Sequence, residues 1–120
     1  MATTECIFCK IIEGKTAAEK LGENEDAIAI SDLSPQAPLH ALIISKKHYE
    51  SLNSLNQSER QMLLPVLYDL ADSIASEKGL RDRGYRTVIN NQREAGQSVF
   101  HLHMHVLAGA QLRGTFGSSK

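Results

Sequence analysis

Apolar and polar positions recur along the chain with periods that predict two helices. Four apolar residues near the N-terminus follow helical spacing: Ile7, Phe8, Ile11 and Ile12. Gly14 comes next, and a glycine there predicts the end of a short helix. A second apolar stripe follows the same spacing further on, at Leu63, Leu67, Leu70 and Ile74. It predicts one long helix of about 20 residues that ends near Gly79.

The start of the long helix carries two conflicting signals. Residues 58–61 read Ser-Glu-Arg-Gln and have the form of a capping box, which predicts that the helix begins near Ser58. Pro65 then lies inside the expected helix, where its ring removes a main-chain hydrogen bond. We therefore expect a kink at Pro65 unless the first turn is irregular.

Short apolar or alternating segments predict five strands. Two strand-like pieces lie within residues 19–33 and are divided by a turn-rich stretch at 22–26. Residues 39–44 are almost entirely apolar and predict a buried strand. The last two strands lie in residues 85–89 and 96–108, and the polar loop between them predicts an antiparallel hairpin.

The last of these strands carries the most unusual pattern in the chain. Imidazole and apolar side chains alternate in the run His101, Leu102, His103, Met104, His105 and Val106. A strand turns successive side chains to opposite faces, so this run predicts one imidazole face and one apolar face. Val99 and Phe100, just before it, also favour a strand.

Three interpretations of the histidines remain open from the residues alone. They are a polar strand face at the surface, a metal site held by all three rings, or nucleophilic and acid–base chemistry at phosphorus. The metal site is possible because alternate histidines on a strand can point at one ion. The third is possible because a neutral imidazole is a good nucleophile near neutral pH.

A second candidate for chemistry is the Cys-x-x-Cys motif formed by Cys6 and Cys9. In a cytosolic protein this motif indicates metal binding or redox chemistry rather than a structural disulfide. A thioredoxin-like site would need a strand leading into the motif, and the sequence predicts none. Two thiolates need two further ligands to complete a tetrahedral zinc site. The alternative is two structural thiols that bind no metal.

Length and composition limit the remaining possibilities. The chain has 120 residues, of which 42% are hydrophobic and 22% charged, as expected for one globular domain. No apolar run approaches the roughly 20 residues that span a bilayer, and the N-terminus does not resemble a secretion signal. We therefore expect a cytoplasmic protein without membrane contact. A net charge of −1 with no basic cluster argues against nucleic-acid binding but permits a small nucleotide.

Residues 96–107 resemble the signature of the histidine triad (HIT) superfamily, His-x-His-x-His followed by apolar residues. His105 in the third place is similar to the nucleotide hydrolase branches, and residues 32–40 resemble the Hint branch. The resemblance covers roughly residues 5–109 and implies a single α+β HIT domain spanning 1–120. Its fold would be an antiparallel sheet of about five strands with a short N-terminal helix and one long helix.

The same resemblance implies a function. The chain is similar to purine nucleoside phosphoramidases. This similarity implies that it binds an AMP-like or GMP-like nucleotide and forms a symmetric homodimer. His103 would attack phosphorus, and His105 would protonate or position the leaving group. His101 and Ser98, together with the main-chain amides of residues 96–98 that could face the anion, would hold non-bridging oxygens or orient His103. His40 would support these side chains from behind. Asp32 would accept from both ribose hydroxyls, although without the resemblance it would more simply be a turn residue. The nucleotide would contact Phe8, Ile11, Asp32, Leu33, Asn90, Gly96, Gln97, Ser98, His103 and His105.

The resemblance also bears on the metal. Several bacterial HIT proteins are thought to bind a structural zinc with such a cysteine pair and two histidines, which here are His48 and His101, joining Cys6 and Cys9. His101 cannot serve both as zinc ligand and as catalytic side chain, and catalysis would need no cofactor. A nucleotide-binding regulatory or scaffold protein, a dinucleoside polyphosphate hydrolase and an obligate metalloenzyme are the alternatives.

The tail, residues 110–120, departs from the family pattern. Animal Hint proteins carry a Trp-Pro-Pro stretch there, whereas this chain has no Trp. Substrate preferences that depend on that stretch do not transfer.

Overall fold

The computed structural model describes residues 6–114, in which one antiparallel sheet carries a helix on each face. Residue 5, where the domain core was expected to begin, and the end of the tail, 115–120, lie outside the described residues. The elements in chain order are α1 (Ile7–Ile12), β1 (Lys20–Glu23), β2 (Ala27–Ser31), β3 (Leu39–Ser45), α2 (Gln57–Glu77), β4 (Tyr85–Val88) and β5 (His103–Ala108). Two short 3₁₀ helices lie at Leu52–Ser54 and Arg93–Ala95. The predicted fold class, with five strands, a short helix and a long one, is confirmed.

The sheet has the strand order β1-β2-β3-β5-β4, and every neighbouring pair is antiparallel. The histidine strand β5 therefore lies inside the sheet, between β3 and β4. Leu42 of β3 lies opposite His105, and Ile44 lies opposite His103. Two hydrogen-bonded neighbours hold the backbone of β5, so its side chains project from a rigid support.

The two faces of the sheet have different partners. Met104 and Val106 of β5 point to the face that α2 covers, where most of the apolar core lies. On the other face, Phe8 of α1 packs with four residues of β2 and β3: Ile28, Ile30, Leu42 and Ile44. His103 and His105 share this second face with Phe8, because alternate residues of a strand point the same way. The short helix leaves part of this face open.

The predicted turn at residues 22–26 is too long by two residues. Gly22 and Glu23 belong to β1, and the turn is held by Asn24, whose Oδ1 accepts from the amides of Asp26 and Ala27. A Cβ atom at Gly22 would lie 2.9 Å from Cδ1 of Ile74 on α2. The glycine therefore allows close packing of α2 on the sheet rather than marking a turn.

The predicted start of α2 is also wrong by two residues. Asn56, not Ser58, is the N-cap: its side chain accepts from the amide of Glu59, and Glu59 in turn accepts from the amide of Asn56. The helix continues through Pro65 to Glu77 as one element. Pro65 and the residue one turn before it are exposed, so water can reach the carbonyl that lost its partner. Within residues 6–114, no helix is long and apolar enough to span a membrane.

The capping box gives a direct stability prediction. We expect Asn56→Ala to lower the free energy of unfolding by about 1 kcal/mol, because two amides at the start of α2 lose their bonding arrangement. Ser58→Ala is the matched control and should change it by less than about 0.5 kcal/mol, since Ser58 lies within the first turn. Urea unfolding of both variants decides between the two starts. An equal loss in both would contradict the observed cap.

Strand β5 begins later than its sequence suggests. Val99 and Phe100 lie in an irregular segment, and the strand starts only at His103. Leu102 donates its amide to the carbonyl of Tyr49 and accepts from the amide of Ser45. These contacts outweigh the strand preference of the preceding residues, and they separate His101 from the regular part of β5.

Candidate active site and metal centre

His103 is the first residue of β5, and the hydrogen bonds around it define its tautomer. Its Nδ1 lies 2.8 Å from the carbonyl oxygen of His101. A carbonyl can only accept, so Nδ1 carries the proton and Nε2 keeps its lone pair. The ring is buried, with 6% of its surface exposed, and this burial lowers the pKa of His103 below its ordinary value. The ring is therefore neutral at neutral pH and has a nucleophilic nitrogen.

His105 has the opposite arrangement, which begins at a main-chain amide. The amide of Gln36 donates to Nδ1 of His40 at 3.0 Å, so the proton of His40 is on Nε2. That N–H lies 3.0 Å from Nδ1 of His105 and 3.4 Å from Oδ2 of Asp32. His105 thus accepts on Nδ1 and presents an N–H at Nε2. Burial, with smaller effects from His103 and His40, lowers the pKa of His105 to about 4 and keeps the ring neutral.

These hydrogen bonds, from the amide of Gln36 through His40 to His105, also argue against a metal ion bound by Asp32, His40 and His105. Their ligand atoms lie within 4.8 Å of one another, which is close enough to surround an ion. A metal on His40 would have to replace the proton on Nε2 and move it to Nδ1. Nδ1 would then face the amide of Gln36, and two donors would oppose each other. The three groups are better described as a hydrogen-bonded relay.

The second cluster is formed by Cys6, Cys9, His48 and His101, whose ligand atoms also lie within 4.8 Å of one another. Nδ1 of His101 lies 3.2 Å from Sγ of Cys6 and 3.1 Å from Nδ1 of His48. Sγ of Cys9 lies 3.3 Å from His48 and 3.6 Å from His101. A tetrahedral zinc ion would separate such atoms by about 3.3 Å between nitrogens and about 3.5 Å between nitrogen and sulfur. The four side chains therefore have the spacing that zinc requires.

The orientation of His101 strengthens this fit. Its Nε2 donates to the carbonyl of Ser45 at 2.7 Å, which leaves the lone pair on Nδ1, facing the two cysteines. Metal-ligating histidines typically donate their other N–H to such an oxygen. Burial lowers the pKa of His101 to about 4, so the ring is neutral, as a ligand must be. The side chain of His101 thus lies in the cluster that could hold a metal, while its main-chain carbonyl orients His103.

His101 lies apart from His105, which argues against the hypothesis that one metal ion is held by all three triad histidines. Among the described residues, the rings of His101 and His105 belong to different clusters. His103 uses Nδ1 for a hydrogen bond to a carbonyl. The geometry does not support one shared metal.

A cavity of about 280 Å³ opens beside His103 and His105. Seven of the residues expected to contact a nucleotide line it: Phe8, Ile11, Asp32, Leu33, Ser98, His103 and His105. Its walls are mostly apolar, and its polar side chains are Thr16, Ser31, Asp32, Ser98, His103 and His105. Such a cavity suits a flat apolar group that carries polar or charged substituents.

Three other expected contacts, Asn90, Gly96 and Gln97, do not line the cavity. The side chain of Gln97 is buried and donates to the carbonyls of Glu50 and Val99. The amides of Gly96 and Gln97 donate to carbonyls of their own loop. The expectation that amides 96–98 together face an anion is therefore wrong for the first two, because they hold the loop in shape. Ser98 is the member of this loop that reaches the cavity.

Comparison with known proteins places these features in a family. The model of the HIT domain matches residues 13–112. The chain belongs to the HIT domain family. An uncharacterized HIT-like protein of Chlamydia muridarum is 48% identical over 106 residues, which cover 88% of this chain and 82% of the relative. A HIT-like protein of Chlamydia pneumoniae is 45% identical over 88% of this chain and 94% of its own length.

Solved structures of HIT proteins share the fold. A histidine triad protein from Clostridium difficile superposes with a TM-score of 0.91 at 38% identity, over 96% of this chain and 99% of its own. A HIT family hydrolase from Clostridium thermocellum gives a TM-score of 0.88 at 37% identity, over the same shares of the two chains.

In this HIT protein, the sequence interpretation missed part of the cavity wall. Eight further residues line it: Ile7, Thr16, Ala17, Ala18, Ile30, Ser31, Leu42 and Val99. Ile7 follows from the helical spacing of α1, since Phe8 and Ile11 share its helix. Ile30 and Leu42 follow from strand alternation. Residues 16–18 carry no signal in the sequence, because their place depends on how the chain leaves α1.

Proposed function

We propose that this HIT protein is a Hint-type nucleotide hydrolase that cleaves purine nucleoside 5′-phosphoramidates through a nucleotide bonded to His103. One observation carries the proposal. Nδ1 of His103 is occupied by the carbonyl of His101, so Nε2 is the ring atom left for a substrate in the adjoining cavity. The HIT family hydrolase from Clostridium thermocellum has the same fold, which supports hydrolysis as the reaction class.

The cavity supports a nucleoside monophosphate as the bound part. The apolar side chains of Phe8, Ile11 and Leu33 would enclose the base. Asp32 is held by the amide of Ser34 at 2.8 Å, and its remaining lone pairs would accept from the ribose hydroxyls. At about 280 Å³ the cavity is of a size to hold one nucleoside.

The reaction proceeds in two displacements at phosphorus. The lone pair on Nε2 of His103 forms a bond to phosphorus while the bond to the leaving nitrogen breaks, and that nitrogen takes up one proton from solvent as the amine departs. Water then bonds to phosphorus and releases one proton to solvent, the bond to Nε2 breaks, and the ring regains its lone pair. In the intermediate the ring is positively charged, and the carbonyl of His101 stabilises that charge through the proton on Nδ1.

His105 serves this reaction as a hydrogen-bond donor. Its pKa of about 4 means that it is neutral at neutral pH, so it does not act as a charged acid. Its Nε2–H would hold the leaving nitrogen or a phosphate oxygen in place. His40 and the amide of Gln36 fix the tautomer that makes this possible. Donors held in place in this way are worth about 10²–10³-fold in rate.

The metal centre has a structural part in the proposal. Cys6, Cys9, His48 and His101 would hold a zinc ion, and when bound that ion supplies a cross-link between α1 and the segment before β5. No step of the hydrolysis passes through it. We also propose a symmetric homodimer, which is supported by β4 lying at a sheet edge with one side unpaired in the described chain. Sedimentation of the full chain tests it.

Chemical quench of a reaction with adenosine 5′-phosphoramidate tests the intermediate. We expect fragmentation mass spectrometry to find adenylate on His103 and not on His101 or His105. Turnover without adenylate on any histidine would contradict the mechanism. Complete loss of adenylation in folded, chelator-treated protein would favour a metalloenzyme, and tight AMP binding without turnover would favour a regulatory protein.

A further inference from the structure

Phe8 has contacts that a simple wall of a base pocket does not need. It lies between Cys6 and Cys9 in α1 and has 6% of its surface exposed. The centre of its ring lies 5.1 Å from that of His103, with the planes at 79°, and 5.8 Å from that of His101, with the planes at 77°. Both are edge-on contacts, which are favourable between aromatic rings.

The ring of His103 needs such a contact to keep one orientation. Its hydrogen bond to the carbonyl of His101 sets the tautomer, but a single bond leaves the ring able to rock about it. The outer torsion of a histidine side chain has broad minima, so it restrains the ring weakly. The rings of Phe8 and His105 pack against His103. His105 is held by His40, and Phe8 is held by α1.

The position of Phe8 depends in turn on the metal centre. A helix of six residues is too short to be stable alone. Cys6 caps α1 by accepting the amide of Cys9, and the two thiols lie against His48 and His101. Two ligand positions thus flank Phe8 in the chain and hold its backbone, while the apolar side chains of β2 and β3 on this face of the sheet hold its ring.

We infer that Phe8 is a positioning residue, which transmits the geometry of the Cys6–Cys9 centre to the nucleophilic ring of His103. The inference rests on the proposed function for its kinetic test. The centre reaches His103 by two routes, the main-chain carbonyl of its ligand His101 and the ring of Phe8 between its two cysteines. An in-line attack tolerates little rotation of the nucleophile, so the second route affects the rate and not only the affinity.

Ile7 provides a matched control. It precedes Phe8 in the same helix and lines the same cavity, but 40% of its surface is exposed. An aliphatic residue at the cavity rim should affect nucleotide affinity and little else. We therefore expect Ile7→Ala to raise KM for adenosine 5′-phosphoramidate with a much smaller effect on kcat.

Phe8→Leu should behave differently, because it keeps an apolar side chain but removes the ring edge. We expect kcat at saturating substrate to fall by about 10-fold to 100-fold, with the metal content of the purified protein unchanged. Phe8→Tyr keeps the ring and should retain most of the wild-type kcat. A rise in KM alone for Phe8→Leu, or equal losses of kcat in the Leu and Tyr variants, would overturn the inference.

A second readout needs no turnover. In nucleotide-free protein labelled with ¹⁵N at histidine, the wild type should show one sharp Nδ1–H signal for His103. Phe8→Leu should broaden or shift that signal, and Ile7→Ala should leave it in place. An unchanged His103 signal in folded Phe8→Leu would overturn the inference. Should Phe8→Leu lose its native circular dichroism spectrum, Phe8→Met takes its place in both measurements.

The two measurements separate this inference from the proposed function. If the wild type does not hydrolyse phosphoramidates, the proposed function fails, while the NMR comparison still decides whether Phe8 orients His103. If turnover is present and the Nδ1–H signal of His103 is the same in Phe8→Leu as in the wild type, only the inference fails.

Discussion

Replacing His103 with asparagine should lower phosphoramidate hydrolysis by at least about 10⁴-fold, the size of loss seen when a covalent nucleophile is removed. The asparagine amide can still donate to the carbonyl of His101, as Nδ1 of His103 does. It has no lone pair in the place of Nε2, so no bond to phosphorus can form. AMP affinity, measured by calorimetry, should stay within the same order of magnitude because the cavity wall is largely unchanged.

The matched control is His105→Asn, made on the same strand two residues later. It removes a hydrogen-bond donor and leaves the nucleophile, so we expect a loss of about 10²–10³-fold. Single-turnover assays on both variants separate the two roles. Equal losses, or a His103 variant that keeps more than about a tenth of the activity, would place the nucleophile elsewhere.

Removing one ligand of the proposed zinc centre should produce the largest change in stability. We expect Cys9→Ser to abolish zinc binding and to lower the melting temperature by on the order of 10 °C or more. The hydroxyl is a poor zinc ligand. Without the ion, the imidazoles of His48 and His101 and the thiol of Cys6 remain packed around position 9, where the native cysteine has 5% of its surface exposed. Elemental analysis and scanning calorimetry of the purified variant measure the two effects.

A thermodynamic cycle separates the metal from simple packing. Wild type and Cys9→Ser are compared with and without removal of metal by chelator, and the difference between the two pairs gives the contribution of the ion. We expect the two proteins to differ widely when metal is present and to melt at nearly the same temperature after chelation. If Cys9→Ser is destabilised equally in both states, the thiol acts by packing and the cluster is not a metal centre.

The predicted elements that formed were those with a strong local signal. The helical spacing of α1, the apolar run of β3 and the alternation of β5 are all patterns among residues only a few positions apart in the sequence. The errors arose where two local signals compete. Asn56 and Ser58 are both good capping residues, and only Asn56 stands three residues before Glu59. Glycine is common in turns, but Gly22 lies in a strand, where its missing side chain allows Ile74 of α2 to pack closely.

The site divides in the same way. The sequence alone predicted a segment in which three histidines alternate with apolar residues. The resemblance to the HIT family then indicated which of the three rings would attack phosphorus. The sequence does not distinguish the three rings, because a period of two treats His101, His103 and His105 alike. Gln97, a polar residue beside them, turned out to hold its own loop together.

Only the tertiary structure decided which groups surround each ring. Cys6 meets His101 across 95 residues, and the amide of Gln36 sets the proton on His40, which in turn sets the proton on His105 65 residues later. A tautomer depends on which group faces each ring nitrogen, and that partner is supplied by distant parts of the chain. Local preferences could therefore form the strand that carries His103 and His105, while long-range contacts place His101 beside the two cysteines and fix the tautomers of His103 and His105 on which the proposed mechanism depends.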